Sequence, residues 1–114
     1  MRELLDAGAW VSAGTDHPIG PVDPLACVHG MTTRQTPFGV LGAEHAISRE
    51  EAPRLYTVAG ARFLGQYSGD PLTVGAPADF VAYRTDPLTC PLDDLRTIEP
   101  VRTVVNGATV HQVS

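Results

Sequence analysis

Asp16 and His17 stand side by side in "VSAGTDHP" (11–18), a carboxylate and an imidazole delivered together after a small apolar run and stopped by Pro18. Acid–base chemistry asks for such groups at the tip of a rigid element, within hydrogen-bond reach of a reacting atom. An Asp ahead of a proline is equally an ordinary turn former, because its side chain bonds nearby backbone. The octapeptide alone leaves both readings open.

The other residues able to do chemistry do not gather around this pair. His29, His45 and His111 lie away from the ends of readable strands and read as surface or packing histidines. No His-x-His occurs, and all eight basic residues are Arg, so lysine chemistry within the chain is excluded. Cys27 and Cys90 form no C-x-x-C pair and read as two buried free thiols rather than a disulfide.

The elements that must position Asp16 are legible around it. "RELLDAG" (2–8) has the look of closing helical turns, with Gly8 as the stop. "AWVSAGT" (9–15) reads as a short strand, small and apolar on both faces as a doubly buried strand is. The proline-rich "DHPIGPVDP" (16–24) is a loop. Asp23 as N-cap and Pro24 as first helical residue then open a helix through "PLACVHGMTTR". "QTPFGVLGAEHAI" (35–47) is turn-rich. Ser48 and Glu51 form a capping box ahead of Ala52, Leu55, Tyr56, Ala59 and Phe63, one helix that Gly65 ends.

From Gly69 the period changes to extended. "DFVAYR" (79–84) alternates as a strand, and "VRTVVNGATVHQV" (101–113) is a hairpin with Asn106-Gly107 at its two-residue turn. The order is α/β over 1–64 and all-β after it. Neither half covers its own apolar faces, so the isolated chain is expected to associate or bind a hydrophobic dye.

Bulk properties bound the function. A chain of 114 residues is one domain by length, and 43% hydrophobic with 18% charged residues describes a globular protein. A net charge of -5 argues against nucleic acid or an anionic membrane as partner. No secretory signal and no membrane-length apolar run is readable, which makes the cytoplasm the expected location.

"SAGTDHP", "YTVAGARFLG", "GDPLTVGAPADFVAYRTDPL" and "VRTVVNGATVHQ" together resemble the C-terminal end of a metal-dependent amidohydrolase, of the amidohydrolase-3 branch that includes the YtcJ-like proteins. Gly69, Leu72, Gly75, Ala78, Asp79 and Phe80 follow its G-x-L-x-x-G-x-x-A-D-[LF]-V pattern, with Asp70-Pro71 standing where one residue is usual. The resemblance implies an α/β fold. Residues 1–64 would be the last strand and helices of an incomplete (β/α)8 TIM-like barrel. Residues 65–114 would be the C-terminal strands of a composite β-sandwich. It implies hydrolysis of carbon–nitrogen bonds other than peptide bonds in a small amide-type substrate, with a divalent metal, zinc above all, at the barrel mouth. Asp16 would be the eighth-strand metal ligand and proton acceptor, and His17 a substrate contact on the rim.

A catalytic zinc takes about three protein ligands, and a full barrel about 250 residues. The chain is therefore expected to be a C-terminal piece of such an enzyme, inactive and without tight metal binding when alone. Its Met1 would be a truncated start, a misassigned start or an internal Met. The alternative is a non-catalytic interaction module that pairs with an N-terminal partner chain or with itself.

Overall fold

The computed structural model describes residues 1–66 and 72–114. The sequence readings at Gly69, Asp70 and Pro71 lie outside the described residues.

Local signals form the helices where the sequence places them. Helix α1 (Arg2–Asp6) ends with Gly8 at φ 72°, and α4 (Val58–Phe63) with Gly65 at φ 67°, a left-handed backbone that only glycine adopts without strain. At α4 the N–H of Gln66 returns to Ala61 and that of Gly65 to Arg62, closing the helix by the Schellman pattern. Asp23 caps α2 (Pro24–Thr33) by accepting the N–H of Leu25 at 2.9 Å. The Ser48–Glu51 capping box is present in both directions, Glu51 N–H to Ser48 Oγ at 3.1 Å and Ser48 N–H to Glu51 Oε2 at 2.8 Å.

The helix expected over 48–64 is two helices, α3 (Glu51–Tyr56) and α4, broken at Thr57 with φ −91° and ψ −87°. The Thr57 hydroxyl bonds back to the Pro53 carbonyl at 3.1 Å. Such back-bonding from a β-branched residue bends helices, and the apolar period cannot report it. Between α2 and α3 the turn-rich stretch holds a minimal hairpin, β1 (Gln35–Thr36) against β2 (Gly39–Val40), and a 3-10 turn over Ala43–His45.

The strand expected over 9–15 does not form as one. Residues 9–16 run without turn or bend, but no described segment pairs with them. A strand is defined by its neighbour, and small apolar residues signal a burial that this segment's outer side lacks.

The all-β part is an antiparallel three-stranded sheet in the order β3 (Phe80–Tyr83), β4 (Pro100–Val105), β5 (Ala108–Gln112). Asn106 and Gly107, at φ 49° and 78°, make the tight turn between β4 and β5. The Asp79 carboxylate accepts the N–H of Asn106, and the Ala78 carbonyl accepts that of Gly107. The A-D and N-G motifs, distant in sequence, are thus one clamp. Asp79→Ala is expected to lower stability by about 1 kcal/mol in a urea melt, with the loss confined to the hairpin in amide exchange.

The core lies between α2, α3 and a 3-10 turn, Leu92–Arg96, that links β3 to β4. Leu25, Val28, Ile47, Ala52, Leu55 and Leu95 are buried together. Arg2 joins α1 to α3 by gripping both carboxylate oxygens of Glu51, at 2.9 and 2.7 Å. That guanidinium, followed by the Ser48 N–H, holds the Glu51 carboxyl below the usual carboxylate range. A folded pKa below the unfolded one gives stability that is present above the unfolded value and lost as pH falls through the folded value. Acid melts from about pH 5 to about pH 2 are expected to show a small fall in Tm that Glu51→Gln lacks. Several apolar side chains remain outside the core, Phe38 at 90% and Phe63 at 71% exposure among them.

Candidate active site

The segment 9–16 rests on the helices through Val11 and Ala13, and its Ala13 N–H bonds the Leu55 carbonyl at the end of α3, 3.1 Å away. It then delivers Asp16 at φ 53°, a left-handed conformation that Asp tolerates better than most residues. The Asp16 carbonyl accepts the N–H groups of Ile19 (2.8 Å) and Gly20 (3.0 Å), so the chain turns at once. The His17–Pro18 peptide is cis. Gly20 closes the turn so tightly that a Cβ there would stand 2.0 Å from the Thr15 carbonyl oxygen. Any other residue would open the loop.

The turn and the chemical reading of Asp16 therefore coexist: the backbone makes the turn and leaves the carboxylate free. Both Asp16 and His17 are exposed, and neither side chain has a hydrogen bond or ion pair among the described residues. The structure brings these two together because they are adjacent, and among the described residues no third group hydrogen-bonds or ion-pairs with them. His29 is buried at 4% exposure in α2, with Nε2 3.3 Å from Asp93 Oδ1 on the Leu92–Arg96 turn. His45 sits 3.4 Å from Glu44 and 3.7 Å from Glu3, and the His111 ring meets the Pro100 carbonyl at 3.2 Å. All three act in packing or on the surface.

Among the described residues no group of three or more His, Cys, Asp or Glu side chains could hold a metal ion. One exposed carboxylate beside an imidazole is short of the about three ligands that a catalytic zinc takes. The described residues do not by themselves fit such a metal.

Both cysteines are free. Cys90 is buried, whereas Cys27 is only half-buried, because α2 turns it to the margin of the core. Burial, and then a hydrogen bond with Cys27, pushes the Tyr56 hydroxyl above its usual pKa. Burial, and then the nearby Asp23 carboxylate, does the same to Tyr83. Two open grooves lie elsewhere. One, of about 290 Å³, runs between residues 9–11 and α3–α4; the other, of about 370 Å³, lies at the end of the sheet beside Arg84 and Glu99. Neither is lined by Asp16 or His17. At the first groove the Arg62 guanidinium lies over the Trp10 ring, 4.2 Å from its centroid. No spacing pattern announces that contact, since it joins two elements far apart in sequence.

Residues 1–111 match the model of the amidohydrolase family. The chain belongs to that family. Among curated proteins, this amidohydrolase chain is 33% identical over 109 residues to an N-substituted formamide deformylase of Arthrobacter pascens, covering 94% of this chain and 20% of the relative. It is 30% identical over 118 aligned positions to a Bacillus subtilis (strain 168) protein named amidohydrolase YtcJ, covering 99% of this chain and 22% of that one. The chain thus spans about a fifth of the length of the curated relatives it matches. No solved structure gives a significant match. No described helix is long and apolar enough to cross a membrane.

Proposed function

We propose that these residues supply the eighth-strand corner of an amidohydrolase active site whose other corners lie in sequence outside them. In this reading residues 1–64 carry the last strand and helices of a TIM-like barrel, and residues 65–114 the C-terminal strands of a composite β-sandwich. The intact cytoplasmic enzyme hydrolyses a carbon–nitrogen bond, other than a peptide bond, in a small amide-type substrate. An N-substituted formamide is the first class to test, since one relative is named for it. A divalent metal, zinc by resemblance, would be held by Asp16 together with residues outside this chain.

The observation that carries the reading is the presentation of Asp16. A segment packed against the core through Val11 and Ala13 ends in an exposed carboxylate, as a strand tip would at a barrel mouth. Asp16 is assigned as the proton acceptor from the attacking water, and His17 as a substrate contact beside it. Neither role needs a partner within the chain, and both need a wall that the described residues do not build.

The test is a chimera in which this sequence replaces the matching stretch of the Arthrobacter deformylase. The folded, metal-loaded chimera is expected to hydrolyse an N-substituted formamide, and the 114-residue chain alone is not. A folded but inactive chimera, or an active isolated chain, overturns the proposal.

A further inference from the structure

We propose that Asn106 is a latent deamidation site, held shut by the clamp of Ala78 and Asp79 on its turn, and that its modification keeps the clamp from closing again. Asn106 is the only asparagine in the chain. It precedes glycine, the neighbour that hinders ring closure least because it carries no side chain. Both residues of the turn are exposed, so water and hydroxide reach them.

The reaction runs on the backbone. The Gly107 nitrogen gives its proton to hydroxide and bonds to Cγ of Asn106. The Cγ–Nδ2 bond breaks, ammonia leaves with a proton taken from water, and a five-membered succinimide remains. Water then opens that ring at one carbonyl or the other, leaving isoaspartate or aspartate. The fold opposes the first step in three ways. The Gly107 N–H, whose proton must go, is donated to the Ala78 carbonyl at 3.0 Å. The Asp79 carboxylate, bound to the N–H of Asn106, stands one residue from the nitrogen that has to become anionic, and like charge disfavours that form. At φ 49° and 78° the turn is of the I′ kind, which sets the Asn106 ψ at about 30°. Ring closure needs the peptide swung far from that angle.

The clamp lies at the surface, and exposed backbone bonds of this kind open without the whole chain unfolding. Each opening gives the site a chance to react, and the reaction does not run back. An aspartate at position 106 sets a second carboxylate beside Asp79, and an isoaspartate adds a backbone carbon to a two-residue turn. Both products oppose reclosure. The inference concerns the terminal sheet and does not rest on the role assigned to Asp16.

Intact mass and peptide mapping of the 114-residue chain at neutral pH follow the reaction as a rise of one mass unit at Asn106. The folded chain is expected to deamidate at least about tenfold more slowly than the same chain unfolded in urea. Asp79→Ala is expected to speed the folded chain about fivefold, the factor by which losing one such hydrogen bond raises the open population. If that variant does not fold, the unaltered chain in sub-denaturing urea decides, and its deamidation must rise in step with exchange of the Gly107 amide. Asn106→Asp, which makes one product outright, is expected to raise Gly107 exchange about tenfold. A folded rate equal to the unfolded one overturns the proposal. So does a folded Asp79→Ala chain that deamidates no faster, a rate that does not track Gly107 exchange, or an Asn106→Asp chain whose Gly107 stays as protected as before.

Discussion

Asp16→Asn in the deformylase chimera is expected to lower kcat by about 100- to 10,000-fold, the range that a positioned proton acceptor contributes. The amide is the informative replacement because it keeps everything except the charge. Asn tolerates the left-handed φ of 53° that the turn demands, and the Asp16 carbonyl still receives Ile19 and Gly20. Melting temperature should therefore hold while turnover collapses. Asp16→Ala confounds the two, since alanine at that φ adds about 1 kcal/mol or more of backbone strain. If Asn leaves kcat unchanged in a chimera that is otherwise active, Asp16 is a turn residue and nothing more.

Leu95→Ala is expected to cost about 3 kcal/mol, within the range for leucines truncated in a closed core. Leu95 has 0% exposure and stands on the short turn that links β3 to β4 and packs against α2. Its loss opens a void where Leu25, Val28 and Leu55 cannot all follow. A domain of this size has total stability of about 5–15 kcal/mol, so the variant should melt about 10 °C lower and lose cooperativity. Leu92, on the same turn but 38% exposed, is the control, and its alanine variant should shift the melt by a few degrees at most. Equal effects at the two positions would mean that the turn is not packed as described.

What the sequence makes legible here is local. Asp23 with Pro24, Ser48 with Glu51, Gly65 after its helix and Asn106-Gly107 each act on backbone within a turn or so of themselves, and each stands as read. The strand over 9–15 does not, because its identity depends on a neighbour no local pattern supplies. The Thr57 break follows from one hydroxyl choosing its own backbone, which leaves the apolar spacing of Ala52, Leu55 and Ala59 unchanged. Arg2 with Glu51, His29 with Asp93, and Arg62 with Trp10 are separated by tens of residues, and only the folded chain introduces them. At the site, Asp16 and His17 were legible because they are neighbours.

The break at Thr57 also decides what holds the segment that carries Asp16. In an uninterrupted helix the Leu55 carbonyl would accept the N–H of Ala59, one rung among many. Interrupted, α3 ends with that carbonyl available, and Ala13 takes it. The fold gives up a local rung and gains a tether to a residue 42 positions earlier, the difference of 55 and 13. Thr57 is thus a latch keeper: whichever way its backbone turns, it chooses between straightening a helix and holding a loose ribbon in place.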